Sequence, residues 1–324
     1  MRRSRRKSLG LGPRSTKSLW ALLVATALVS APLISTALAS EPVRIGILPV
    51  LDTLPLQVAV QEGFFDEAKI SVELVSFNSA LERDAAMQGG QLQGYFGDLL
   101  NTLLLVRNGL PIRILTVSYA SRPGRRMFAL AGRPGLPAHS ATEIPTGATV
   151  GLSNATIMEF LLDTLQKEAG IPLETWKRLE VKKIPLRLQM LLTGQLDLAV
   201  LPEPLVTLAE SKGSKVYWTD GNLDLPLTVI GLRQDLLDAD PGLAERFLTA
   251  YAKAVSALSD HPEKYRELMA RTCRIPGSLQ KSYPVPAFPE PGLPDPAGVE
   301  RVQAWMLHHG LIQERIPYER LVWR

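Results

Sequence analysis

The chain has 324 residues, of which 46% are hydrophobic, enough for one large or two medium domains with a real core. Its formal net charge of +4 comes from the N-terminus, because seven basic residues and no acidic ones precede Glu41. The remainder has 29 basic against 32 acidic residues, which argues against a nucleic-acid-binding protein. A single cysteine, Cys273, excludes an intramolecular disulfide.

The N-terminus has the pattern of an export signal. A basic region is followed by an apolar stretch from Leu19 to Leu38, which ends in the small-x-small motif Ala37-Leu-Ala39. We predict a signal peptide over residues 1–39, cleaved after Ala39, and a periplasmic protein. Residues 4–9 resemble a twin-arginine signal with Ser in place of the usual Phe, so the general secretory route is favoured and the twin-arginine route stays open. An uncleaved anchor is the alternative, against which Pro32 and the cleavage motif argue.

Short apolar runs then alternate with helical patterns, as in βαβ units. In the first part of the chain we predict four strands: Val43–Leu48, Ile70–Phe77, Gln93–Phe96 and Ile112–Val117. Ser79 followed by Glu82 has the spacing of a capping box at the start of the helix after the second strand.

The same plan repeats from Met127 onwards. Further strands are predicted at Met127–Ala131, Ala148–Leu152, Leu196–Leu201, Lys215–Trp218 and Leu227–Gly231. We expect the chain to cross between two lobes near Thr116–Tyr119 and again near Leu227–Gly231, with a hinge at these crossings.

The C-terminal part is predicted to be helical with one proline-rich interruption. Asp240-Pro241 has the N-cap and N1 pattern of a helix start. Seven prolines between Pro276 and Pro296 predict either an ordered extended wrap or a mobile loop. A last helix is expected around Val299–Leu307.

An internal similarity relates the two parts. Gly90-Gln-Leu92 precedes Gly194-Gln-Leu196 by 104 positions, and Arg83 precedes Arg187 by the same interval. A period this long is unlike a solenoid repeat and favours two similar lobes. We therefore predict an α/β protein of two lobes, each with a mostly parallel sheet flanked by helices and with a ligand cleft between them. Lobe 1 is assigned to residues 40–120 and 228–324, and lobe 2 to residues 121–227.

Three carboxylates are candidates for the cleft. Asp52, Asp98 and Glu203 each follow a predicted strand, and ligands bind at strand carboxyl ends in open α/β sheets. Such groups can bind a cationic or N–H-rich ligand, act as an acid/base pair, or only cap the following helix. We expect Asp52 and Glu203 to face one ligand from opposite lobes.

The segment Gly151-Leu-Ser-Asn-Ala155, followed by Thr156, joins a strand to a helix. Free N–H groups and hydroxyls at such a helix start suit an anion or a carbonyl group. The pattern also approaches the G-x-S-x-G nucleophile elbow, which Ala155 interrupts. Plain helix capping is the third alternative.

Metal and cofactor chemistry is not indicated. His308 and His309 are adjacent and diverge on a helix, whereas metal pairs need a spacing of three or four. The sequence contains neither a Walker loop nor a dinucleotide-binding glycine triplet. We predict no metal and no cofactor.

Several motifs resemble the nitrate/sulfonate/taurine family of ABC-importer substrate-binding proteins, which includes binders of thiamine-pyrimidine precursors. These motifs are Ile47-Leu-Pro-Val-Leu-Asp52, Gln61-Glu-Gly-Phe-Phe65, Gly90-Gln-Leu92, Gly97-Asp98, Gly194-Gln-Leu-Asp197 and Leu201-Pro-Glu-Pro204. The resemblance extends from about Val43 to Arg324 and implies a two-lobe type II periplasmic-binding fold that closes by hinge motion.

The resemblance also implies a function and a set of ligand-facing residues. These residues are Leu51, Asp52, Asn78, Ser79, Asp98, Ser153, Asn154, Ala155, Thr156 and Glu203. The implied function is delivery of a small polar solute to an ABC permease and its ATPase by a monomeric, non-enzymatic protein. The alternatives are an exported enzyme or sensor on this fold. A thiamine-pyrimidine-synthase-like enzyme is disfavoured by the single cysteine and the export signal.

Overall fold

Two five-stranded sheets form the framework of the computed structural model, which describes residues 41–324. The strands are β1 Val43–Ile47, β2 Val72–Ser76, β3 Gly94–Asp98, β4 Ile112–Ala120, β5 Phe128–Gly132, β6 Thr149–Leu152, β7 Lys177–Glu180, β8 Leu198–Pro202, β9 Lys215–Thr219 and β10 Pro226–Arg233. The helices are α1 Leu54–Gln61, α2 Phe64–Glu67, α3 Ala80–Gln88, α4 Leu99–Arg107, α5 Ile157–Glu168, α6 Ile184–Leu192, α7 Leu205–Ser211, α8 Gln234–Ala239, α9 Leu243–Asp260, α10 Arg266–Thr272, α11 Pro296–His308 and α12 Tyr318–Leu321. The predicted signal peptide lies outside the described residues.

The two sheets have the same topology. The first has the strand order β2-β1-β3-β10-β4 and the second β7-β6-β8-β5-β9. In each sheet one strand, β10 or β5, runs antiparallel to both of its neighbours. These are the strands on which the chain arrives from the other lobe. The predicted class, an α/β fold of two lobes with mostly parallel sheets, is confirmed.

A buried arginine packs against a glycine in the first lobe. Arg83 of α3 is 1% exposed, and its side chain crosses over Gly46 of β1. A Cβ atom on Gly46 would lie 3.0 Å from Arg83 Cγ and 2.5 Å from Leu92 Cδ1. Only a residue without a side chain allows this close approach of helix and strand.

The second lobe repeats this packing. Arg187 of α6 is fully buried, and a Cβ atom on Gly151 of β6 would lie 3.2 Å from Arg187 Cγ and 2.4 Å from Leu196 Cδ1. The interval of about 104 residues in the sequence therefore corresponds to equivalent positions in two similar lobes.

The two crossings between the sheets are tied together by a buried carboxylate. Asp220 is fully buried just after β9 and accepts a 2.8 Å hydrogen bond from Tyr119 Oη of β4. It also accepts the N–H groups of Met127 and Phe128, each at 3.0 Å, where the first crossing enters β5. One side chain thus satisfies donors on both connections.

The chain passes from one sheet to the other in the loops that join the strands, and not within the strands themselves. The residues predicted to cross, Thr116–Tyr119 and Leu227–Gly231, instead belong to β4 and β10. The chain leaves the first sheet after Ala120 and re-enters it at Pro226. Both predicted segments are buried, and the strand pairing of β4 with β10 runs through them.

The C-terminal helix α11 contacts α5 of the second lobe. Asp163 on α5 is 5% exposed and accepts hydrogen bonds from Trp305 Nε1 at 2.8 Å and from Arg178. His309 Nε2 lies 2.9 Å from the same carboxylate, and the Trp305 ring packs edge-on against Phe160 with the ring centroids 5.8 Å apart. The lobes are therefore joined by side-chain contacts as well as by the chain itself.

The proline-rich segment between α10 and α11 is an ordered extended wrap. Gly292 donates to Thr116 Oγ1 at 3.0 Å and accepts the Val117 N–H at 2.8 Å. Arg125 Nη1 donates to Ala287 O at 3.0 Å. The segment thus binds both the first lobe and the loop between β4 and β5, and the mobile-loop alternative does not hold.

The long helix α9 begins later than its sequence signal predicts. Its N-cap is Gly242 rather than Asp240. The Asp240 carboxylate instead accepts a 2.6 Å bond from Arg246, one turn into the helix. Within residues 41–324, no helix has the length and apolar character needed to span a bilayer.

Candidate functional site

A cavity of about 280 Å³ lies between the two lobes. Its wall is formed by residues at the carboxyl ends of β1 and β3 in the first lobe and of β6 and β8 in the second. Open α/β sheets bind ligands at this end of parallel strands, because the loops and helix starts that follow converge there. The cavity is therefore the candidate site.

The cavity brings together six of the ten residues expected to face a ligand. These are Asp52, Asn78, Ser79, Asp98, Ser153 and Thr156. The other four, Leu51, Asn154, Ala155 and Glu203, are not among the lining residues. Leu51 is buried in the core at 1% exposure, and Asn154 points to solvent.

Asp52 is a buried carboxylate in the first lobe. It is 2% exposed, and Thr228 Oγ1 on β10 donates to Asp52 Oδ2 at 2.7 Å. Burial raises the pKa of Asp52 from 3.8 to about 6, an effect that the bond from Thr228 and the charge of Arg83 only partly offset. Among residues 41–324, no cation forms an ion pair with this carboxylate. The side chain is placed to receive a donor from the cavity.

Asp98 connects helix starts in the two lobes. It caps α4, accepting the Asn101 N–H at 2.7 Å, and the Ile157 N–H at the start of α5 also donates to it. Burial nevertheless raises the pKa of Asp98 to about 7. Because helix N–H groups already bind its oxygens, this carboxylate is less available to a ligand than Asp52 is.

Ser153 lies at the end of β6 and is bound from behind by Arg187. Arg187 Nη2 donates to Ser153 Oγ, so that the hydroxyl is an acceptor on the protein side. A nucleophilic serine needs a base at that position, and no histidine lines the cavity in the described part of the chain. Thr156 N-caps α5, accepting the Met158 N–H at 3.2 Å.

Glu203 is engaged by the protein. Arg126 Nε donates to Glu203 Oε1 at 2.7 Å, and the N–H and hydroxyl of Thr207 donate to Oε2 at 3.1 and 2.8 Å. Arg126 also pairs with Glu210 at 2.7 Å. The Arg126 side chain is thus used for internal pairing, and Glu203 accepts both donors of Thr207 in the first turn of α7.

The capping box at the start of α3 is confirmed. Ser79 Oγ accepts the Glu82 N–H at 3.2 Å, and Glu82 accepts the Asn78 N–H at 3.2 Å. Both Asn78 and Ser79 line the cavity, and Asn78 Oδ1 accepts a bond from Arg274 at 3.1 Å. This corner of the wall is therefore closed by a residue from the C-terminal part of the chain.

Sequence reasoning missed several residues of the wall. Thr228 and Cys273 line the cavity although they are far from the predicted site in sequence. Burial raises the pKa of the Cys273 thiol to about 12, so it is not a nucleophile at neutral pH. Arg83, which also lines the cavity, carried a signal, because it lies 104 positions before Arg187.

Most of the wall is apolar. Phe96, Met127, Phe128, Ile157 and Ile184 contribute side chains from both lobes. Binding sites of this kind enclose the body of a small molecule, and a few polar groups fix its orientation. No group of three or more His, Cys, Asp or Glu side chains within residues 41–324 is placed to hold a metal ion.

Several solved structures share this fold. The ligand-binding component of an ABC-type import system from Staphylococcus aureus, solved with zinc bound, is 18% identical with a TM-score of 0.74, over 87% of this chain and 96% of that one. The periplasmic aliphatic sulphonate-binding protein SsuA from Escherichia coli is 14% identical with a TM-score of 0.73, over 88% and 92%. The desulfurization enzyme DSZB is 18% identical with a TM-score of 0.65, over 87% and 96%. Identities this low establish a common fold only.

The family model gives the assignment. No curated protein matches the chain by sequence. The model of the NMT1-like family matches residues 36–273, which include both sheets and most of the cavity wall. The chain therefore belongs to the NMT1-like family.

Proposed function

We propose that this protein is an exported solute-binding protein that delivers a small polar solute to an ABC importer. The observation that carries the proposal is the cavity between the lobes, with a mostly apolar wall and a few polar groups at strand and helix ends. Membership of the NMT1-like family and the shared fold with ABC-import binding components support it. The most direct test is mass spectrometry of small molecules released when the purified protein is denatured.

Export is the first part of the proposal. The basic region, apolar stretch and Ala37-Leu-Ala39 motif support cleavage after Ala39. N-terminal sequencing of the periplasmic protein is expected to begin at Ser40. A cytoplasmic protein that retains Met1 would contradict both export and the role in import.

Hinge closure is the second part. Lobe 1 comprises residues 40–120 and 228–324, and lobe 2 residues 121–227. A ligand that contacts both lobes binds the closed form better than the open form, and this difference shifts the population. Small-angle scattering is expected to show a monomer whose radius of gyration is smaller with ligand than without it. A radius unchanged at saturation would contradict closure.

An exported enzyme on the same fold is the second candidate. The desulfurization enzyme DSZB shares the fold, and Asp98, with its raised pKa, and the Ser153 hydroxyl both line the cavity. We favour binding because Ser153 is held by an arginine rather than by a base. Chromatography of the released solute after prolonged incubation is expected to return it unchanged. Multiple turnovers would instead assign catalytic roles to Asp98 and Ser153.

A further inference from the structure

The two lobes place different charges behind the walls of the cavity. In the first lobe, the buried Arg83 is neutralised by its neighbour, because Nη2 and Nε donate to Asp84 Oδ1 at 2.8 and 3.0 Å. Arg83 also donates to Tyr95 Oη at 2.7 Å. Asp52, with a pKa of about 6, is mostly ionised at neutral pH, and Asp98, with a pKa of about 7, is partly ionised, so the buried charge on this side is negative.

The second lobe has the equivalent arginine without its acid. The position that matches Asp84 is Leu188, which is 6% exposed. Arg187 is fully buried, and no carboxylate within residues 41–324 forms an ion pair with it. Its donors bind neutral groups instead, including Val181 O at 3.0 and 2.7 Å and Val200 O at 2.7 Å. Burial lowers the pKa of Arg187 only to about 9, so it stays charged at neutral pH.

The Arg187 guanidinium acts on the cavity through the hydroxyl group of Ser153. Ser153 Oγ accepts from Arg187, so its own O–H must donate elsewhere. No acceptor for that O–H is found in the described part of the chain, and Ser153 lines the cavity. A hydroxyl bound by a guanidinium is a strengthened donor, since hydrogen bonds in a chain polarise one another.

Resting on the proposed function, we propose that the cavity selects a dipolar ligand with an apolar body. A protonated nitrogen at one end binds the Asp52 carboxylate in lobe 1. A carboxylate or similar oxyanion at the other end accepts the Ser153 hydroxyl in lobe 2. The apolar body lies against Phe96, Phe128 and Ile157.

The alternatives each leave one buried charge without compensation. A simple anion would satisfy Ser153 but add a like charge beside Asp52 and Asp98. A simple cation would satisfy Asp52 but leave the Arg187 charge unbalanced. Of the more exposed cations of the wall, Lys182 pairs with Glu180. Arg274 donates only to the neutral Asn78, but its side chain is exposed, so water and salt screen its charge. Only a ligand with both charges complements the two walls together.

Three probes with the same ring separate these classes. 4-(Aminomethyl)benzoate carries both charges, 4-methylbenzylamine only the positive one, and 4-methylbenzoate only the negative one. Calorimetric titration of the purified, ligand-stripped protein is expected to give the tightest binding for 4-(aminomethyl)benzoate, by about tenfold or more over either half. Equal or tighter binding of a half probe, or no binding of all three, would overturn the proposal.

Two variants test which lobe binds which end. Asp52→Asn is expected to weaken the two amine probes by about ten- to hundredfold and to leave 4-methylbenzoate unchanged or improved. Ser153→Ala is expected to weaken the two carboxylate probes and to leave 4-methylbenzylamine unchanged. The exposed Asp238→Asn and Ser211→Ala are matched controls with no expected effect. Equal losses for all three probes in either variant would contradict the assignment of the two ends.

The solute released from the native protein distinguishes the two levels of the hypothesis. A released solute with an amine and an oxyanion supports solute binding and the dipolar ligand class together. A solute with charges of one sign overturns the ligand class but leaves solute binding in place. If no solute is released and none of the probes compacts the protein in small-angle scattering, the proposed function itself fails.

Discussion

The buried carboxylate of Asp52 is expected to destabilise the ligand-free protein at neutral pH. It has one side-chain donor, Thr228, and no paired cation within residues 41–324. Asn in its place keeps an oxygen that accepts the Thr228 hydroxyl and removes the charge. We therefore expect Asp52→Asn to be more stable than the wild type at pH 8, although it binds ligand less well.

The sign and size of the effect follow from the pKa of Asp52. Burial raises this pKa from 3.8 to about 6, so between about pH 4 and pH 6 the folded protein keeps a proton that the unfolded chain has released. The contribution of Asp52 to the free energy of unfolding therefore falls as pH rises through this window. At 1.36 kcal/mol per pKa unit, the fully developed loss is about 3 kcal/mol.

The assay is urea denaturation of both proteins, without ligand, from about pH 4 to pH 8. At pH 8 the free energy of unfolding of Asp52→Asn is expected to exceed that of the wild type by about 3 kcal/mol, which corresponds to about 5 °C in Tm. Near pH 4 the two proteins are expected to differ little. Asp98 and Asp220 also have raised pKa values, but they are present in both proteins. Exposed Asp238→Asn is the control. Equal stability at pH 8, or a difference that grows towards acid, would refute the reasoning.

Three further substitutions test the packing and pairing around the cavity. Gly151→Ala is expected to lower the free energy of unfolding, measured by urea denaturation, by about 1–3 kcal/mol through overpacking. Gly277→Ala is the control and is expected to cost little, because the space around Gly277 is open. Equal effects of the two substitutions would contradict the close approach of α6 to β6 at Gly151. Arg126→Met is expected to cost about 3 kcal/mol, because it leaves the buried Glu203 carboxylate without its paired cation, and the double variant with Glu203→Gln is expected to recover part of this loss. Trp305→Phe is expected to cost about 1 kcal/mol by removing the indole donor to α5, and no change in the denaturation midpoint would show that this inter-lobe bond contributes nothing.

The parts of the fold and site that the sequence predicts depend on local signals. The Ser79 capping box, the strand that ends at Asp98, and the helix start at Thr156 are each specified within a few residues. The glycine and arginine repeat is also local to each lobe, because the helix and strand that pack together are neighbours in the chain. Periodicity and capping patterns describe such features well.

The remaining features depend on partners far away in the chain. Glu203 follows a strand as Asp52 does, but Arg126, 77 residues earlier, engages it. Thr228 reaches Asp52 across 176 residues. No local pattern indicates which of several carboxylates meets a cation in the folded protein.

The difference between Asp84 and Leu188 shows that residues beneath the cavity wall determine the net charge behind each side of the cleft. Neither residue is among those that line the cavity, yet one neutralises a buried arginine and the other leaves its counterpart charged. Exchanging the acid and the aliphatic residue at these two positions would leave Arg83 without its acid and neutralise Arg187, without altering any residue that lines the cavity. Ligand preference in a cleft of this construction can therefore change through residues one layer away, and comparison of lining residues alone will not detect it.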